Sequence, residues 1–215
     1  MEIAAGSPAP FTIVYRDERV IVLDKPSGLL SVPGRGPDLQ DCLSARVQIV
    51  HSTACVVHRL DRDTSGLMAM ALDADAQREL NRQFAERLAE KRYIAIVLGE
   101  PQEESGLIDL PMRKDFERPP RHMIDPQFGK PAQTAWRVLE RQGNRTRLEL
   151  RPLTGRSHQL RLHLASLGWP ILGDNLYATP DALAASPRLL LHAEELTLFH
   201  PDDGRRCTWR TPAPF

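Results

Sequence analysis

Apolar positions along the chain fall into short alternating runs more often than into helical spacing. Thr12–Tyr15 and Val20–Leu23 flank Arg-Asp-Glu-Arg and predict a hairpin. Gln133–Arg141 and Arg145–Arg151 flank Gln142-Gly143-Asn144 and predict a second. In its second strand Leu148 and Leu150 face inward, while Arg145, Arg147, Glu149 and Arg151 alternate outward. Ala54–Val57, Leu67–Leu72, Tyr93–Leu98, Arg188–Phe199 and Cys207–Trp209 read as further strands. Helical spacing is confined to three segments. Leu39–Val50 sets Leu43, Val47 and Val50 on one face. Asp73–Glu90 repeats Ala76, Leu80, Phe84 and Leu88 every four residues, behind Asp73 and Asp75, which suit a helix N-terminus. His158–Leu167 sets Leu160, Leu164 and Leu167 together and is stopped by Gly168. Pro101–Gln127 reads as a proline-rich basic loop. Strands outnumber helices and strict βαβα alternation is absent, so the pattern predicts an α+β fold, a mostly antiparallel mixed sheet flanked by helices and loops.

At 215 residues and 41% hydrophobic, the chain can bury a sizeable core as one domain spanning residues 1–215. No run approaches the length of a membrane span. The opening MEIAAGSPAPF lacks the cations of an export or transit signal, which points to a cytoplasmic protein. Cys42, Cys55 and Cys207 are odd in number and widely spaced, as expected of reduced thiols. Lys plus Arg balance Asp plus Glu at 28 each, but unevenly. Between Arg113 and Arg161 there are twelve cations and five acids, a local net of +7. Arginine supplies 24 of the 28 cations. Its planar fork suits phosphate and base stacking, so a nucleic acid is a candidate partner. A solvated sheet face would look the same.

The usual cofactor signatures are missing. There is no GxGxxG, no GxxxxGK[ST] and no GxSxG. His158 and His163 are five apart, roughly 140° around a helix, and no CxxC occurs, so no metal or cofactor is expected. What remains is a stretch of unusual make-up, Val56–Gly66, VVHRLDRDTSG. It sets Asp61 between Arg59 and Arg62, on a loop held by two apolar runs. Such loops present reactive groups from a rigid scaffold.

The motifs that accompany this stretch carry a resemblance. His58-Arg59-Leu60-Asp61 with Thr64-Ser65-Gly66 resembles the signature of the RluA family of pseudouridine synthases. Lys25-Pro26-Ser27-Gly28 is similar to that family's KPxG. Phe84, Arg87, Lys91, Tyr93 and Ala95 match its F-x-x-R-x-x-x-K-x-Y-x-A. Thr154-Gly155-Arg156, His158-Gln159, Arg161 and His163 match TGRxHQxRxH; Gly168 through Tyr177 and Arg188–Ala193 match two more. The order is kept from about Ile13 onward, and the S4 RNA-binding module of many relatives is absent.

The resemblance implies a pseudouridine synthase fold and isomerisation of uridine in RNA without a cofactor. The N1–C1′ bond breaks, the base turns, and C5 joins C1′. Asp61 is implied as the essential carboxylate, adding to C1′ or to C6, or taking a C2′ proton. Arg156 is implied as its charge partner, and a guanidinium favours the charged form of a carboxylate. Tyr93 is implied to pack on the uracil and help remove the C5 proton. Arg59 is implied to fill the gap left by the displaced base. Lys25, Arg62, Lys91 and Arg161 complete the cations expected on RNA, although Lys25 could instead brace the Asp61 loop. His58 and His163 are expected to be structural. The implied substrate is a hairpin-loop uridine in tRNA, in 23S rRNA, or in both. Two other functions suit parts of this pattern. A non-catalytic RNA-binding module would keep the motifs, but has no use for Asp61, Tyr93 and Arg156 together. A nucleoside or glycoside hydrolase normally needs a second carboxylate, and in the motifs only Asp174 offers one.

Overall fold

A ten-stranded sheet carries the core. The computed structural model describes residues 11–215; Met1–Pro10, and with it nearly all of the opening stretch read for a leader, lies outside the described residues. The strands are β1 (Thr12–Arg16), β2 (Val20–Lys25), β3 (Cys55–Val56), β4 (Ser65–Ala71), β5 (Glu90–Leu98), β6 (Ser105–Asp109), β7 (Met112–Lys114), β8 (His122–Ile124), β9 (Gln133–Gln142), β10 (Arg145–Pro152), β11 (Leu191–Phe199) and β12 (Arg206–Arg210). The helices are α1 (Leu43–Val50), α2 (Ala74–Ala85), α3 (Gln159–Ser166) and α4 (Pro180–Ala184). The main path runs β1-β2-β4-β11-β5-β10-β9-β6, with β3 beside β4, β12 beside β11, and β7-β8 as a separate hairpin. Among the described strand pairs only β11 with β4 is parallel, so the expected α+β, mostly antiparallel architecture is found.

The apolar run Leu67–Leu72 is continuous because β4 is covered on both faces. Met68 and Met70 join Ile21, Leu23, Leu43, Val47, Leu148 and Leu150 in the larger core cluster. Leu67, Ala69 and Ala71 join Val20, Val22, Leu196 and Leu198 in the other, capped by Ala76 and Leu80 of α2. The hairpins lie where the alternation puts them. Glu149 is the exception on β10: it is buried beneath Arg92, Arg137 and Arg151 rather than free in solvent.

Three expectations need correction. Val50 is exposed, so α1 buries only Leu43 and Val47 of the proposed stripe. The segment Pro101–Gln127 holds β6, β7 and β8 rather than plain loop; β6 finds its partner in β9, far away in sequence. Helix α2 stops at Ala85 instead of Glu90, because Arg87 turns left-handed at φ 61° and Leu88 N–H closes back on Gln83 O at 2.9 Å. A non-glycine residue in that conformation costs about 1–2 kcal/mol.

Gly66 explains how the parallel seam closes. Its φ is 109°, and a Cβ there would stand 2.3 Å from Ala193 O. Gly66→Ala is expected to lose on the order of 3 kcal/mol or more, read from urea unfolding, since both the strand seam and the backbone angle resist it. A second expectation concerns acid. Tyr15 Oη donates to Asp17 at 2.6 Å and His200 Nε2 lies 2.8 Å from the same carboxylate, joining the β1–β2 and β11–β12 turns. Burial works against the Asp17 charge, but bonds from Tyr15, the Val20 and Arg19 N–H groups and His200 pull its pKa down to about 2. The folded value lies below the unfolded one, so this stabilisation is complete above about pH 4 and fades as pH falls toward 2. Acid unfolding of Asp17→Asn is expected to be flatter than that of the parent chain across that window.

Candidate active site

Asp61 stands in a cleft of about 1040 Å³ between the β3–β4 loop, the end of α2, β5 and the turn from β10 into α3. Its carboxylate is 18% exposed. The loop that carries it is clamped from both sides. Ser31 Oγ accepts from Leu60 N–H at 3.1 Å and donates to Leu60 O at 2.7 Å. Ser27 Oγ donates to Asp63 O, and Gly28 N–H to Arg62 O at 2.9 Å. Arg62 Nε returns a bond to Gly28 O. The Lys25-Pro26-Ser27-Gly28 turn is therefore a bracket for residues 60–63.

Lys25 is the centre of that bracket. It is fully buried, and Nζ donates to Pro26 O, Leu29 O and Arg62 O at 2.7–2.9 Å. Burial pulls its ammonium down to about 7, with the Asp63 and Asp61 charges opposing. Three carbonyls match the three protons of an ammonium and leave no place for an amine lone pair. The three bonds and the burial favour the bracing role over the expected RNA contact.

The charge partner of Asp61 also differs from expectation. Arg156 Nε donates to Pro131 O at 3.2 Å, whereas Arg161 Nη1 lies 4.0 Å from Asp61 Oδ2. Arg161 sits in the first turn of α3, and helical side chains lean toward the N-terminus, here toward the loop. Its guanidinium also grips Asp174 through Nε at 2.8 Å and Nη2 at 2.6 Å, and Asn175 Oδ1 at 3.0 Å. Burial works against this charge; Asp174 and Asp61 more than offset it and hold the Arg161 pKa above the usual range. Arg161 is 2% exposed and Asp174 is fully buried in this pair, so the structure presents neither side chain to the surface.

Of the remaining candidates Tyr93, Arg59 and Lys91 line the cleft and Arg62 does not. Tyr93, on the central strand β5, is nearly buried; burial and then the Asp61 charge push its phenol pKa upward. Arg59 is exposed, with Nη2 3.3 Å from Ser157 Oγ. Lys91 lies above the Phe84 ring at 5.9 Å. Arg62 is exposed on the far side of the loop, toward a smaller hollow formed with Pro26 and Leu39. His58 accepts from Ala69 N–H at 2.9 Å and stacks on Phe84, and burial drives its pKa down to about 3, so it is a neutral scaffold group. His163 is likewise held, between Thr134 Oγ1 and Leu110 O.

Tyr177 and Arg87 were quoted within motifs but given no role by sequence reasoning. Tyr177 Oη accepts from His122 N–H at 2.8 Å and shares a hydrogen bond with His158 Nδ1 at 2.9 Å. This docks the β7–β8 hairpin beside Asp61. Arg87 lines the cleft with its backbone left-handed. The last tyrosine of G-x-P-I-x-G-D-x-x-Y and the arginine of F-x-x-R were the available signals.

Residues 19–166 match the family model described as RNA pseudouridylate synthase. The chain is similar to the dual-specificity RNA pseudouridine synthase RluA of Escherichia coli strain K12, 50% identical over 204 residues, 94% of this chain and 93% of that one. The enzyme of the same name from Haemophilus influenzae is 48% identical over the same shares. Among solved structures, human RNA pseudouridylate synthase domain containing 1 aligns with a TM-score of 0.82 at 31% identity, over 99% of this chain and 87% of that chain. Human RNA pseudouridylate synthase domain containing 4 aligns at 0.75 and 26% identity, over 94% and 88%.

The bracket yields a direct test. Lys25→Met keeps most of the stem but leaves Pro26 O and Leu29 O without their donor, while Arg62 O keeps its bond from Gly28 N–H, and is expected to lose about 2–3 kcal/mol of stability in urea. Because Lys25 meets no phosphate, the salt dependence of RNA binding by the folded variant should match that of the parent chain; a shallower slope would return Lys25 to the RNA surface.

Proposed function

This chain belongs to the RNA pseudouridylate synthase family and isomerises uridine to pseudouridine in RNA, and from that premise we propose that Asp61 is the carboxylate that starts the reaction. The observation that carries this reading is the position of Asp61: a partly exposed acid at the wall of the main cleft, on a doubly clamped loop, facing a buried arginine. In the isomerisation N1–C1′ breaks, C5–C1′ forms, the C5 proton leaves and N1 gains one. No external electron donor or acceptor is required. Asp61 supplies the electron pair that opens the sequence, and Arg161 steadies its charge in the cleft. Arg156 serves the RNA-facing turn instead.

Tyr93 forms the floor against which the uracil packs. With its pKa pushed up by burial and by Asp61, it stays a phenol, which suits packing and hydrogen-bond donation better than taking the C5 proton as phenolate. The cleft has room for one displaced nucleotide, and displacement costs a few kcal/mol, least in a loop. Arg59, exposed and tied only to Ser157, is free to move into the vacated stack. Arg62 and Lys91 hold flanking backbone. Residues around this cleft serve both catalysis and RNA grip, and the enzyme acts in the cytoplasm. The relatives' dual-specificity name favours two RNA substrates, which we assign to the two that the motif resemblance implies, a tRNA anticodon stem-loop and a 23S rRNA hairpin.

The test uses both RNAs with tritium at uracil C5. The parent chain is expected to release tritium from each and form pseudouridine at one loop position. Asp61→Asn should lower release at least about 10³-fold, the scale expected for loss of an essential group, with RNA affinity kept within about threefold. Normal turnover by that variant would sink the assignment, and release of free uracil would point to a hydrolase.

A further inference from the structure

We propose that Arg87 and Lys91 form a phosphate-binding subsite on the wall of the cleft between α2 and β5, holding an RNA backbone phosphate beside the displaced uridine. The inference rests on the reading above that the Asp61 cleft receives RNA.

Arg87 occupies the position just past a helix end that glycine fills without steric penalty. Leu88 N–H bonds Gln83 O at 2.9 Å and Arg87 N–H bonds Phe84 O at 3.4 Å, the paired bonds of a left-handed helix stop. Among the described residues only Arg87 and His158 take a positive φ without being glycine, and both line the same cleft. Strained backbone persists where something other than local stability requires the side chain. Helix electrostatics do not account for it. A cation near a helix C-terminus is favourable, but Arg82, in the last turn, already supplies one, held by Glu79 and Glu86. Arg87 is different: exposed, and with no hydrogen bond or ion pair for its guanidinium among the described residues.

Lys91 shares that condition further inside. Its Nζ lies 3.8 Å from where a Cβ on Gly155 would stand, so it reaches across to the β10–α3 turn. It has no carboxylate or carbonyl partner among the described residues. Burial pulls its pKa below the ordinary lysine range, with nothing acidic to oppose it. Two cations without counter-charges, on one wall of one cleft, match a single phosphodiester. Gly155, bare of side chain, leaves the approach to Lys91 open.

The experiment measures turnover and binding of an RNA stem-loop on which the parent chain is active, at several salt concentrations, for Arg87→Gly, Arg87→Lys and Lys91→Met. Arg87→Gly should keep or raise Tm, because glycine accepts the left-handed angle. It should raise KM about tenfold, the loss falling on KM more than kcat. The slope of log Kd against log salt should drop by about 0.7–0.9, one phosphate contact. Arg87→Lys should recover part of the affinity and most of the slope; Lys91→Met should lower the slope as Arg87→Gly does. Parent-like KM and slope in Arg87→Gly would overturn the proposal, as would a lower Tm with kcat and KM failing together. Absence of turnover by the parent chain on any RNA would instead overturn the reading on which the proposal depends.

Discussion

A guanidinium buried to 2% exposure has to be matched, and Arg161 is matched by Asp174 and by Asp61. Removing either partner would leave part of a charge stranded away from water, which is far more costly than losing a surface pair. That requirement ties three separate pieces of chain together: the first turn of α3, the turn at Asp174-Asn175, and the β3–β4 loop. Asp174 in turn caps its own loop, accepting from Leu176 and Tyr177 N–H at 2.8 and 3.0 Å. The partly exposed acid of the cleft is thus linked, through Arg161, to a fully buried one. The second is locked by two hydrogen bonds to the guanidinium, while the first lies at 4.0 Å, close enough for charge and loose enough to engage a substrate.

The rest of the site follows the same division between fixed and free. Lys25, Ser27, Ser31 and Gly28 satisfy the loop backbone, and their own polar atoms are spent on it. Gln159 locks the opposite wall, accepting from Thr154 Oγ1 and Arg156 N–H while donating to Gln133 O. A loop with this many internal bonds can hold a reactive group still without help from a ligand. By contrast Arg59, Arg87 and Lys91 enter the cleft with few or no protein partners. Cations left in that state carry their binding capacity outward, toward an anion that arrives with the substrate.

Much of this was legible in the sequence, and the misses have physical causes. The two hairpins, the strand at Tyr93 and the loop at Asp61 followed from period-two alternation and turn residues, because those signals are local. Strand β6 was missed because its pairing with β9 is made some thirty residues away, and Gly106-Leu107 carries no alternation of its own. The α2 end was placed too late because Leu88 continued the four-residue repeat; the left-handed Arg87 that breaks it obeys no propensity. Site membership was legible from motifs, but partnership was not. Spacing cannot tell which of Arg156 and Arg161 faces Asp61, since that depends on where α3 begins and which way its side chains lean. For Lys25 the motif allows both an RNA contact and a brace, and only the three carbonyls around Nζ choose between them.

The net charge of zero and the local +7 also change meaning once partners are known. Within Arg113–Arg161, six of the twelve cations are paired: Arg113 with Asp125, Arg118 with Asp115, Arg137 and Arg151 with Glu149, Arg141 with Glu104, and Arg161 with Asp174. Their fields are largely cancelled at short range, and exposed pairs are screened further by salt. Lys114, Arg121, Lys130, Arg145 and Arg156 remain without a carboxylate among the described residues, while Arg147 donates to Phe215 O at the end of the chain. A count of basic residues therefore overstates the attraction this stretch exerts on a polyanion. The cations left unmatched inside the cleft are a smaller set: the left-handed Arg87, and Lys91, which stands across from the turn at Gly155. An enzyme that must pull one base from a loop gains more from a few cations fixed at the mouth of that cleft than from a broad basic face. Fixed cations hold the backbone in register with Asp61, whereas a broad face binds every phosphate alike.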